Sequence, residues 1–167
     1  MNKKNSTIYL VQAAFIAAVY IALTYFLKPI SFSGSQLRVA EALTILPVLT
    51  PAAVPGLTIG CVIANISSPY GIIDIICGSS ATLLAALCSR ATRNVTIKGV
   101  PVISAVFPVI LNAVIVGAEI SALGTDGFSW PVFATMAGSV ALGQSLACFV
   151  LGLPLCVALK KVKIFDK

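Results

Sequence analysis

The chain is 167 residues long, with 59% apolar side chains, 10% charged ones and a mean hydropathy of +1.05. Soluble domains run near half apolar and a quarter charged, so an ordinary soluble fold is excluded. The 11 Lys and Arg against 5 Asp and Glu give +6, but these charges are strung between long apolar runs, which is a membrane pattern and not a nucleic-acid surface.

A spanning helix takes about 20 residues, so the length suits six spans with short connections and predicts a single integral membrane domain over residues 1–167. Cys61, Cys77, Cys88, Cys148 and Cys156 all lie in or beside apolar runs, without a Cys-x-x-Cys pair, and the chain has no His. Zinc sites and His-based triads therefore lack ligands and base, and the cysteines read as small packing residues. No glycine-rich phosphate loop ending in Lys-Ser/Thr is present, so no ATPase of its own, no enzymatic activity and no cofactor are expected.

The first apolar run, 8–27, is too long for the core of a signal peptide and has no small-x-small cleavage site before Lys28-Pro29, so it is expected to stay as a helix. Residues 30–36 are Ser/Gly-rich and read as a loop. Pro47, Pro51 and Pro55 then recur every four residues, and since proline ends or kinks helices, 37–49 and 52–67 read as two short helices turning near Thr50-Pro51. The first is about 20 Å long, short for a membrane core of about 30 Å, so two thin spans and a re-entrant hairpin both fit. Further spans are expected over 72–88, 100–123 and 131–159, separated by the polar stretch Ser89–Asn94 and a turn at Gly124-Thr125-Asp126-Gly127.

With a cytoplasmic N-terminus, Lys3, Lys4, Arg90, Arg93, Lys98, Lys160, Lys161, Lys163 and Lys167 fall inside, and only Lys28 and Arg38 outside. That asymmetry predicts six transmembrane helices with both termini cytoplasmic.

Polar side chains at membrane depth are expensive and face a cavity or a partner. Here they are Arg38, Glu41, Asn65, Asp74, Asn112, Glu119 and Gln144, with Gln12 in the first helix. Under this topology the first seven fall in the outer half or the midplane, which predicts one polar cavity open to the outside. Arg38 and Glu41 are three apart on one stripe, and Asn112 and Glu119 seven apart on another. Arg38 is expected to hold Glu41 in place. Three acids against one Arg suit a cationic or donor-rich guest, because a carboxylate accepts two parallel N–H bonds. Phe32, Tyr70, Phe128 and Trp130 can stack on a planar ring or form an interfacial belt. The first helix also carries Ala13, Ala14, Ala17 and Ala18, a stripe that lets another helix approach closely, and Gly56, Gly60 and Ala64 form a similar ladder. Packing within the chain is the simpler use of both.

The stretch Leu37-Arg38-Val39-Ala40-Glu41-Ala42-Leu43-Thr44-Ile45-Leu46-Pro47, then Pro55 to Cys61, Asn65, Gly71 to Asp74, Gly78 to Ala85, Asn112 and Gly143-Gln144, resembles the queuosine-precursor transporter family, QueT. The resemblance implies a substrate-binding S-component of an energy-coupling-factor importer in a bacterial plasma membrane, taking a 7-deazaguanine from outside. It also implies partners: a transmembrane coupling protein and two cytoplasmic ATPases, docked through Ala13/Ala17 or Ala14/Ala18. One position departs from the family pattern, which has a Glu after the glycine of the last helix where this chain has Gln144. The aminomethyl base, the cyano base and queuine thus all remain open as ligands. A small proton- or ion-coupled transporter using Glu41, Asp74 or Glu119 as carrier is the alternative reading.

Overall fold

The computed structural model describes residues 3–28, 38–124 and 127–162, with side chains from residue 5 onward. The loop expected over 30–36 with Phe32, the Thr125-Asp126 part of the turn, and Lys163 and Lys167 lie outside the described residues. The elements are α1 (Lys3–Phe26), α2 (Val39–Val48, a 3₁₀ helix), α3 (Ala53–Asn65), α4 (Ile72–Ala91), α5 (Val102–Ala122) and a last rod. That rod runs as α6 (Trp130–Ser145), a π-helical segment (Leu146–Gly152) and α7 (Leu153–Val162). No strand occurs among the described residues. An isolated bridge joins Ile97 to Val100 across Lys98 and Gly99, both at positive φ, the backbone of a tight hairpin turn.

Four helical stretches are long and apolar enough to cross a membrane: Asn5–Phe26, Ile72–Ala91, Val102–Ala122 and Trp130–Val162. The chain is thus an all-helical, multi-pass membrane protein. Its two short helices, α2 and α3, pair differently. Thr50, at the turn between them, is buried and donates through Oγ1 to Gln12 Oε1 of α1 at 2.9 Å. Gln12 stands nine residues into α1, about 14 Å from its start. The α2–α3 turn is therefore seated well up the side of α1.

The expected α-helix over 37–49 is instead a 3₁₀ helix, with Glu41 N–H on Arg38 O at 2.9 Å and Leu49 N–H on Leu46 O at 2.8 Å. At about 2.0 Å per residue its ten residues reach about 20 Å, and side chains three apart eclipse. Arg38, Glu41, Thr44 and Pro47 accordingly form one row. Residues 40–48 are all buried, because α2 is wrapped by α1, α3, α4, α5 and the last rod. A 3₁₀ coil is tighter than an α-helix and suits this central position. Arg90, from the last turn of α4, donates to Pro47 O at 3.1 Å, placing a cation on the unpaired carbonyls of the α2 C-terminus.

Small residues set the interhelix distances. A Cβ on Gly56 would stand 2.7 Å from Ala13 O, and one on Gly60 3.2 Å from Ala17 O. Ala13 and Ala17 are buried against α3, whereas Ala14 and Ala18 are exposed. The glycine ladder and half of the alanine stripe thus serve α1–α3 packing. A Cβ on Gly152 of the π segment would likewise stand 2.9 Å from Ala42 O, and one on Gly117 of α5 2.8 Å from Ala137 Cα of α6. Pro108 within α5 has no N–H for Ser104 O, and Ser89 Oγ of α4 donates to that carbonyl at 2.9 Å. Gly56→Val should lower the melting point of the purified protein, since overpacking costs about 1–3 kcal/mol. Gly138→Ala, whose Cβ would meet nothing within 4 Å, should leave melting unchanged in the same assay.

Candidate functional site

Three helix ends converge around Arg38. It precedes α2, Asn65 closes α3 and Asp74 lies in the first turn of α4. Arg38 donates through Nη2 to both Asp74 oxygens, at 3.2 and 3.0 Å, and through Nη1 to Asn65 Oδ1 at 3.1 Å. Asn65 turns its amide nitrogen to Asp74 O at 2.9 Å and to Cys61 Sγ at 3.6 Å. All three are buried, Arg38 at 3% exposure and the other two at 0%. The clip closes over Gly78, where a Cβ would stand 2.5 Å from Asn65 Nδ2 and 3.0 Å from Asp74 Oδ1. Glycine is required there because the space is already filled by the clip.

Glu41 is held by a different residue from the one expected. Its Oε1 accepts a short hydrogen bond from the Tyr20 hydroxyl of α1, while Arg38 is engaged with Asp74 and Asn65. Glu41 is fully buried, and its Oε2 has no hydrogen-bond partner among the described residues. Thr44, one 3₁₀ turn on, donates to Glu41 O at 2.6 Å, and Cys148 of the π segment donates to the same carbonyl at 3.7 Å and to Gln144 Oε1 at 3.8 Å. Gln144 is thereby brought beside the Glu41 turn, at the end of α6 where the helix widens. Such π segments recur at functional sites.

Glu119, 5% exposed in α5, has neither carboxylate oxygen hydrogen-bonded among the described residues. Its electrostatic neighbours are Asp74 and Arg38, and Glu41 lies within range of Arg38 as well. One network therefore holds a single cation, Arg38, and three acids, Glu41, Asp74 and Glu119. Asn112, two turns before Glu119, is buried and donates to Pro108 O of its own helix at 2.9 Å. Trp130 meets Phe128 and Phe133 edge-on around the start of α6, at centroid distances of 5.3 and 5.9 Å, and the Phe128 and Phe133 rings are tilted by 36°. An apolar cleft of 380 Å³ between α1, α2 and α7, lined by Phe15, Ile16, Leu43, Leu46 and Leu155 among others, involves none of the charged residues.

Tyr20 is the residue that sequence reasoning passed over. An aromatic inside an apolar helix reads as core, yet a fully buried phenol needs an acceptor, and Glu41 is the carboxylate placed to supply it.

Set beside known proteins, the chain matches the family model described as "QueT transporter" over residues 10–161. It belongs to the QueT transporter family. A curated relative named "Queuosine precursor transporter QueT", from Lactococcus lactis subsp. cremoris (strain MG1363), is 36% identical over 84 residues. That alignment covers 49% of this chain and 49% of the relative, so the match spans about half the length of each. No solved structure matches. The family is described as one of transporters, which agrees with the four long apolar helices.

Proposed function

We propose that this chain is the substrate-binding S-component of an ATP-driven energy-coupling-factor importer, and that it binds a queuosine precursor of the 7-deazaguanine class from outside the cell. The observation that carries the proposal is the set of carboxylate oxygens without partners: Glu41 Oε2, Glu119 Oε1 and Glu119 Oε2. A buried carboxylate left unpaired costs several kcal/mol, and the network's one cation is engaged by Asp74. A planar base rich in N–H donors offers those oxygens what they lack. Gln144 adds an amide able to donate and accept, and the 7-aminomethyl, 7-cyano and queuine forms are the candidate ligands. Asn112 lies two turns from Glu119 on the same side of α5, while Arg38, Asn65 and Asp74 hold the frame.

In this reading the partners are a transmembrane coupling protein and two cytoplasmic ATPases in a bacterial plasma membrane, with no nucleic acid. Because Ala13 and Ala17 are taken up by α3, the coupling protein docks on the exposed Ala14 and Ala18. Ala14→Trp should leave ligand affinity of the isolated chain intact and abolish uptake. Ala17→Trp, aimed at Gly60, should reduce folded yield. Loss of binding with Ala14→Trp, or full uptake, would remove that face as the dock.

Orientation follows the charges: the end carrying Arg90, Arg93, Lys98, Lys160 and Lys161 faces the cytoplasm, and the Arg38–Glu119 end faces out. In a Cys-free background, Gly124→Cys should react with an impermeant thiol reagent in intact cells and Asn94→Cys should not. The reverse pattern would invert the protein and the site. Uptake itself separates the proposal from a proton-coupled carrier. Transport that persists with an uncoupler but needs ATP and the partner subunits supports the importer; transport that needs only this chain and collapses with the uncoupler overturns it.

A further inference from the structure

A second groove lies along the last rod and shares no lining residue with the Arg38–Glu119 network. It has a volume of 480 Å³, and Phe149, Leu153, Pro154, Val157 and Ala158 form its wall with Val100 beside them; Lys161 is its one charged residue. Phe149 and Leu153 rest on the buried cluster of Ile45, Val48, Ala105, Cys148 and Cys156, so the floor is firm. From Phe149 to Lys161 the helical rise covers about 18 Å, against about 15 Å for half of a bilayer core of about 30 Å. The groove is therefore one leaflet deep, apolar along its length and cationic at its mouth.

The surroundings of that mouth reinforce the charge. Lys160 donates to Gly99 O at 3.4 Å, fastening the exposed Lys98-Gly99 turn beside α7, and Arg93 donates to Arg90 O nearby in sequence. Among the described residues the acids are Glu41, Asp74 and Glu119, all in the Arg38–Glu119 network. Lys98, Lys160 and Lys161 thus form a basic rim without a described carboxylate among them.

We propose that this groove binds an anionic phospholipid, with one acyl chain along Phe149–Val157 and the headgroup phosphate at Lys161 and Lys98. Charge complementarity selects a lipid over a second apolar helix, because a bare helix would leave the lysine rim without a counter-charge. Basic pockets at helix ends recognise anionic headgroups, and each lysine near the surface adds appreciably to attraction. The site stands apart from the Glu41–Glu119 network, so its failure would leave the transport reading untouched.

The test is native mass spectrometry of the full chain, released from mild detergent after exposure to equimolar phosphatidylglycerol and phosphatidylcholine. The wild type should carry phosphatidylglycerol preferentially. Lys161→Gln and Lys98→Gln should each lower that preference by about fivefold, and Ala158→Trp should displace the lipid by filling the groove. Excess inorganic phosphate should not compete, since the acyl chain supplies much of the attachment. Equal retention of the two lipids, an unchanged preference in Lys161→Gln, displacement by inorganic phosphate alone, or a lipid-free dimer would each overturn the proposal. Lys161 is exposed, so its substitution leaves the fold intact and keeps the result readable.

Discussion

Replacing Arg38 by Met is expected to cost the folded protein about 3–5 kcal/mol, the loss seen when one partner of a buried ion pair is removed. Arg38 is 3% exposed and meets Asp74 at 3.0 Å, and it is the single cation of a network with Glu41, Asp74 and Glu119. Without it three acids share a low-dielectric interior, and Asn65 loses the donor to its Oδ1. The double variant Arg38→Met with Asp74→Leu should melt higher than Arg38→Met alone, because removing both charges also removes the uncompensated one. Thermal unfolding of the purified proteins in detergent, followed by size-exclusion recovery, reads both effects. Equal damage in the single and the double variant would mean that the clip acts through packing and not charge.

The second large effect runs the other way. Glu119→Gln should leave the empty protein as stable as the wild type or more so, since neither oxygen of Glu119 has a hydrogen-bond partner to lose. Ligand affinity should nevertheless fall tenfold or more, because hydrogen bonds to a charged group are worth about 1.5–3 kcal/mol. Glu41→Gln should combine both penalties, as it alters the acceptor of the Tyr20 hydroxyl as well as the open Oε2. A residue of purely structural importance would lose stability and affinity together. Separation of the two in Glu119→Gln is the signature of a group kept for a guest.

Much of this was legible in the chain itself, for identifiable reasons. Apolar runs of the right length mark α1, α4, α5 and the last rod whatever their neighbours, and the cost of burying charge picks out Arg38, Glu41, Asp74 and Glu119 before any fold is known. Pairing was harder. The three-residue spacing of Arg38 and Glu41 invites a local ion pair, yet the structure spends Arg38 on Asp74 and Asn65, which are 36 and 27 residues away. Sequence spacing carries no information about such partners.

Two further features were hidden for related reasons. The 3₁₀ form of α2 is imposed by the crowd of helices around it, while its sequence, Val39–Val48, reads as an ordinary apolar helix ended by Pro47. Neighbouring alanines also cannot be sorted by composition. Ala13 and Ala14 are adjacent, but only the first faces Gly56, so the split between inner and outer stripes needed the packing of α1 on α3.

The most direct test of the account is a structure of the chain with 7-aminomethyl-7-deazaguanine bound. The base should lie at the Arg38–Glu119 end, with ring or ammonium N–H donors within hydrogen-bond distance of Glu41 Oε2 and of the Glu119 carboxylate, Gln144 at its edge, and the Arg38–Asp74 pair unbroken. A base seated in the apolar cleft beside Phe15 and Leu155, or held by Arg38 after that pair has opened with both glutamates left unpartnered, would contradict it.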